Sequence, residues 1–157
     1  MSGRDRVGAA LSAALLAATA TGCLDRYEPD VGPPLGPLCR DIDSDPGFDV
    51  SFGLDIRPLF GRDDARCLDC HTPGGTSPLG LRVSGLNLSS YTSLIRGGVD
   101  SGDAIVLPER PCASILYQKV SEAPPYGGRM PLDGPPFFDD RDLQLIADWI
   151  AEGADDD

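Results

Sequence analysis

The chain has 157 residues, a length that fits one domain with tails, and a formal net charge of −12 at pH 7. Nucleic-acid backbones are gripped by Lys and Arg, so a chain this acidic is not expected to bind nucleic acid; its surface suits a basic partner or simply solubility. Aromatic residues make up only 6% while Gly (19) and Pro (15) are frequent, which predicts short elements, long loops and a core lean enough to gain from a large apolar ligand.

Arg4 and Arg6 precede an uncharged, Ala-rich run from Val7 to Ala20, which ends in Ala20-Thr21-Gly22-Cys23. This is the pattern of a secretory signal over residues 1–22, and the run is too short for a membrane span. Its ending resembles a bacterial lipobox, which implies lipidation of Cys23 and a membrane contact through the lipid; an ordinary secretory signal is the alternative. Leu24 after the cysteine leans, by resemblance to sorted lipoproteins, toward the outer membrane. Both readings send the chain across the inner membrane, as a periplasmic or outer-membrane protein in a compartment where disulfides persist. Residues 23–50 carry Pro29, Pro33, Pro34, Pro37 and several acids without apolar periodicity, which predicts a flexible tether. A compact domain is expected over 51–153, and 154–157 read as an acidic tail.

Four short helices are predicted in that domain. The first starts at Asp55 as N-cap, with Ile56, Leu59 and Phe60 on one face and Pro58 in the first turn. The second runs from about Ser90 to Arg96, with Gly97 positioned to end it in a left-handed cap. The third spans roughly Pro111 to Val120. The fourth is capped by Asp139 or Asp140, carries Leu143, Ile146, Ala147 and Ile150 as an apolar stripe with Trp149 at its edge, and stops at Gly153. No β-branched run alternates cleanly, so the fold class is mostly α.

Between the first two helices stands Cys67-Leu68-Asp69-Cys70-His71. C-x-x-C-H is the spacing of c-type haem attachment: one turn presents two thiols to one porphyrin edge and brings the following imidazole under the iron. A thioredoxin-like pair would sit after a strand in a βαβ unit, and that context is missing. A zinc site needs four ligands, which a single His with Cys39 and Cys112 supplies only at unusual spacing. A simple Cys67–Cys70 disulfide would leave the adjacent His unexplained.

Of the five cysteines, Cys23 is assigned to lipid and Cys67 and Cys70 to haem. Cys39 and Cys112 remain as an even pair, expected to be bridged in an oxidising compartment, with two free thiols as the alternative. The sixth iron ligand follows by elimination. There is no second His, and Met130 is the only methionine besides Met1, so Met130 is the candidate distal ligand to the proximal His71; Lys119 or water are substitutes. Met130 lies in Tyr126-Gly127-Gly128-Arg129-Met130-Pro131, where glycines allow close backbone approach and proline fixes the chain after the ligand.

Taken together, the C-x-x-C-H turn, the Gly-Gly-x-Met-Pro loop that follows it and the capped final helix with Trp resemble the class I cytochrome c superfamily, over about Phe52 to Ala154. The resemblance implies a small cytochrome c-like fold of about four short helices with long Gly/Pro-rich loops around one covalent haem c. It also implies Cys67 and Cys70 as thioether sites, His71 and Met130 as iron ligands, and packing of the first helix on the last, with Phe60 meeting the 143–150 region. The first helix lacks the usual Gly-x-x-x-aromatic contact pattern. Leu59, Leu88, Tyr91, Leu94, Leu116, Pro131 and Trp149 are candidate haem-wall residues and equally ordinary core; Arg129 or Tyr126 could pair with a propionate.

The function expected is covalent haem binding and single-electron transfer in the cell envelope, with redox partner proteins of basic character. A haem-based gas or redox sensor and a haem-free interaction module are the alternatives. Peroxidase-type catalysis needs an open distal position with acid–base groups, and the sole His is already used.

Overall fold

The computed structural model describes residues 39–157; the expected signal segment, Cys23 and residues 23–38 of the expected tether lie outside them. Among the described residues the fold is mostly α, with six short α-helices and no strand. None of these helices is long and apolar enough to cross a membrane.

Ser51 opens the helical part. Its hydroxyl accepts the Leu54 N–H (3.1 Å) and its own N–H donates to the Asp55 carboxylate (3.0 Å), a reciprocal pairing that satisfies two of the donors left over at a helix start. A wide π-helical turn over Phe52–Ile56 follows and runs directly into α1 (Arg57–Phe60). The helix thus begins upstream of Asp55, which lies inside it as the reciprocal acceptor rather than the cap.

Two single-turn helices, α2 (Cys67–His71) and α3 (Leu79–Ser84), come next. Neither has a fully buried residue, so neither leaves the apolar periodicity by which the other helices were read. The chain continues through α4 (Tyr91–Ile95), which Ser90 and Ser93 start with a capping box. Gly97 follows in the left-handed region (φ +70°), where any Cβ would collide with the Gly102 carbonyl. A 3-10 turn over Gly102–Ile105 leads on to the expected third helix, which is split into a 3-10 turn at Pro111–Ala113 and α5 (Ile115–Val120). Ser114 divides them. It is fully buried, and its hydroxyl binds the Leu107 N–H (2.8 Å) and the Arg110 carbonyl (3.0 Å), local bonds that compete with a continuous helix.

The last helix, α6 (Asp140–Ala151), is capped by Asp139, whose carboxylate accepts the Asp142 N–H (2.9 Å). It packs on the Phe52–Ile56 segment and on α5. Ile146 and Ile150 are completely buried, in one cluster with Ile56 and Phe60. Removing such a side chain from water contributes about 1.5–3 kcal/mol. Trp149, expected at the edge of the stripe, is only 1% exposed. The rings of Phe52 and Tyr91 close over it at 5.5 and 6.5 Å, and its indole N–H donates to the Asp155 carbonyl (3.1 Å). That last bond exists because the chain turns back after α6. Ala154 is buried in the left-handed region (φ 57°) and accepts the Tyr91 hydroxyl (2.8 Å). Asp157 receives the Phe52 N–H on its carboxylate (2.8 Å) and the Gly53 N–H on its carbonyl (2.9 Å). Residues 154–157, read as a tail, therefore place acceptors on the first N–H groups of the helix that opens the domain.

Residues 39–50, assigned by sequence to the tether, carry no helix but are fastened along α6. Cys39 is bonded to Cys112, and Asp41 accepts the Cys112 N–H (2.8 Å). The Ser44 N–H and hydroxyl both donate to the Asp148 carboxylate (2.8 and 2.7 Å), and the Val50 N–H donates to Glu152 (2.7 Å). The folded unit thus begins upstream of Ser51. Polar composition concealed this because most anchors are hydrogen bonds and a bridge, with Val50 the one buried apolar residue of the segment. A cavity of about 470 Å³ lies under the strap, bordered by Ile42, Tyr117 and Gln144, and shares no lining residue with the C-x-x-C-H turn.

Candidate functional site

Five residues suffice to build α2, and they are Cys67-Leu68-Asp69-Cys70-His71. Cys67 and Cys70 stand three apart and His71 four from Cys67, so all three share one side of the turn. The helix is entered abruptly: Arg66, immediately before it, takes a left-handed conformation (φ 50°), uncommon for a non-glycine residue. Gly75 backs the turn, with no room for a Cβ against the carbonyls of Leu68 and Asp69.

Cys67 and Cys70 are half-buried and are not joined to each other. Burial pushes the Cys67 thiol up to about 12, which keeps it protonated and slow to oxidise. With Cys39 and Cys112 bonded to each other, only three thiol or imidazole donors remain among the described residues, short of the four a structural zinc takes. No group of three or more His, Cys, Asp or Glu among the described residues is arranged to hold a metal ion.

The His71 ring has a defined setting. Its Nδ1 lies 3.2 Å from the Leu86 carbonyl, a contact that only a protonated Nδ1 satisfies, so Nε2 carries the lone pair. The His71 carbonyl in turn accepts the Leu88 N–H (2.8 Å), so the 72–88 loop is stitched to α2 on both sides of the imidazole. Burial lowers the His71 pKa, against the raising effect of the Leu86 carbonyl and with help from the Lys119 charge. The ring is therefore neutral at pH 7, the state in which imidazole is a metal ligand.

Met130 is half-buried against the core, followed by buried Pro131. Its loop is held at three places. The Met130 N–H donates to the Lys119 carbonyl (2.7 Å), while the Lys119 ammonium reaches back to the carbonyls of Tyr126 (2.8 Å) and Gly128 (2.6 Å). Arg129 donates to the Val120 carbonyl (2.8 Å) and lies 4.4 Å over the Phe137 ring. Asp133 pairs with Arg66 at 3.4 Å. Arg66, next to Cys67, thus pairs with the segment that follows Met130, and Lys119, which holds the Met130 loop, adds its charge to the lowering of the His71 pKa.

Arg129 donates from Nε to the Val120 carbonyl and from Nη2 to the Phe138 carbonyl, and so fixes its own loop. Leu88, Leu94 and Trp149 all belong to one buried cluster with Phe52 and Ile56, and Leu88 is also tied to His71 by a backbone hydrogen bond. Sequence reasoning missed Leu86, which acts through a backbone carbonyl and leaves no trace in residue type. It also missed Gly75 and Gly80; a glycine inside a helical stretch such as α3 is the one available sign.

No protein-family model matches the chain, and no curated protein matches it.

Proposed function

We propose that the domain carries one haem c, joined by thioethers to Cys67 and Cys70 and held by His71 and Met130, and that it passes single electrons in the cell envelope. In this reading the chain is exported, anchored through Cys23 and cytochrome c-like in fold. The observation that carries it is the C-x-x-C-H turn with both thiols unpaired and the His71 Nδ1 engaged by the Leu86 carbonyl. Metal-ligating histidines characteristically donate their second ring nitrogen to a carbonyl or carboxylate, which fixes the tautomer and orients the ring. Thioether attachment asks the two sulfurs to lie along one porphyrin edge, and the C-x-x-C spacing puts both cysteines on one side of a single turn.

When bound, the haem supplies a one-electron iron couple. The protein's own groups do the rest. His71 offers a neutral imidazole at a fixed edge. Met130 offers a thioether on a loop secured by Lys119, Arg129 and Arg66. Met/His ligation raises the potential and leaves no open coordination position, which favours electron carriage over peroxide chemistry. Packing of the first helical segment on the last supports the cytochrome c-like reading. The net charge of −12 suits a basic redox partner, steered by long-range attraction.

The test is the visible spectrum of the full chain made in a host that matures c-type cytochromes, before and after acid-acetone extraction, with Cys67→Ala/Cys70→Ala as control. Haem that stays with the parent protein, a sharp reduced α-band and a far-red oxidised band are expected. A parent chain that takes up no haem overturns the proposal.

A further inference from the structure

Helix α3 lies against the imidazole of His71, and the contact is made by Gly80. A Cβ built on Gly80 would stand 2.6 Å from His71 Nε2, 2.7 Å from Cε1 and 2.9 Å from Cδ2. Those three values locate it. A point in the ring plane along the Nε2 lone pair would be much farther from the two carbons than from the nitrogen. Near-equal distances put that Cβ position over the ring face, toward its Nε2 end, and off the lone-pair axis. At these separations no side chain fits without moving the ring or the helix.

The backbone at Gly80 is itself anchored. Its carbonyl accepts the Ser84 hydroxyl (2.7 Å), Gly85 closes the helix in the left-handed region (φ +70°), and the Ser84 carbonyl takes the Val99 N–H (2.7 Å). Gly98 sits too close to the Ser84 carbonyl to carry a Cβ, which ties the end of α3 to the following turn. This fastening offsets the weakening of a helix interior by glycine.

We infer that Gly80 is a positioning residue for His71: a backbone stop that sets the tilt of the imidazole plane. The Leu86 carbonyl fixes the ring's Nδ1 edge, but a ring held at Cβ and at one edge can still swing about its own axis. A rigid surface on one face limits that swing and fixes the direction of the Nε2 lone pair. The packing claim stands independently; its consequence for the iron rests on the function proposed above.

Two measurements separate these. In NMR spectra of the full chain without haem, the Gly80 Hα signals are expected upfield of ordinary glycine, through the ring current, and His71→Ala should return them to the ordinary position. Ordinary Gly80 shifts that His71→Ala does not move overturn the inference, whatever the chain does with haem. A ring-current shift in a chain that takes up no haem sustains the packing and defeats the haem reading alone. In the haem-loaded chain, Gly80→Ala should change the oxidised EPR g-values and move the reduction potential. Leu79→Ala, an exposed position on the same helix, should do neither. Identical EPR spectra and potentials for Gly80→Ala and parent overturn the positioning role. If Gly80→Ala does not fold, the Gly80–His71 shifts in parent and His71→Ala still decide the packing.

Discussion

Replacing both bridge cysteines, as Cys39→Ser/Cys112→Ser, should cost about 4 kcal/mol of stability. The bonded residues are 73 apart in sequence, and loop closure of that length removes entropy from the unfolded chain worth about 4 kcal/mol at 25 °C. The native side of the balance changes little, because the strap keeps its hydrogen bonds from Asp41 to the Cys112 N–H and from Ser44 to Asp148. Urea unfolding followed by far-UV circular dichroism is the assay. With a slope of about 1.5–2 kcal/mol per molar urea, the midpoint should fall by roughly 2–3 M, and parent protein unfolded under reductant should show a similar fall. Ser44→Ala separates the two contributions, since it removes a hydrogen bond to a charged partner and should cost only about 1–2 kcal/mol. A midpoint shift below about 0.5 M for the double variant would refute the loop-closure reasoning.

Arg62 grips Asp142 on α6 with both terminal guanidinium nitrogens, at 2.8 and 2.7 Å. Asp142→Asn should cost about 1–2 kcal/mol, and most of that loss should vanish in an Arg62→Met background; equal losses in both backgrounds would contradict a direct pairing. Glu152 has its pKa raised, first by burial and then by the charges of Asp43, Asp49 and Asp148, against the Val50 N–H that lowers it. The folded value being the higher one, its contribution is fully present below the unfolded value and is lost as pH rises through the folded value. Glu152→Gln should therefore stabilise the protein at pH 7 and lose that advantage near about pH 4; urea midpoints with an equal gain at both pH values would argue against this sign. In the haem-loaded chain Met130→Ala should abolish the far-red oxidised band and lower the reduction potential; a retained band would show that another group holds the distal position.

What could be read from sequence was what shows itself as side-chain pattern. The stripe Ile146–Ile150 and its Asp139 cap lead directly to α6, and the Ser90 start of α4 and Gly97 turn were equally legible. The C-x-x-C-H turn was visible because it is defined by residue type and spacing alone. Other features were silent for identifiable reasons. Ser51 displaced Asp55 as the cap because the helix opens with a π turn that shifts the register. Ser114 broke the third helix through local side-chain bonds to Leu107 and Arg110 that residue type alone does not announce. The strap over 39–50 reads as tether by composition, and its attachment to Asp148 and Glu152 spans about a hundred residues of chain. The setting of His71 depends on the Leu86 carbonyl and the missing side chain of Gly80, one invisible to residue type and the other an absence.

The chain contains a single tryptophan, Trp149, sealed in the interior. A domain of this length has a radius of gyration of about 13 Å folded and more than twice that unfolded. A haem fixed at Cys67 and Cys70 would therefore stay within energy-transfer range of the indole in the folded chain and leave it on unfolding. The loaded protein should be dark in tryptophan fluorescence when folded and bright when unfolded. Bound haem would thus make the emission intensity of Trp149 a gauge of intactness that needs no label.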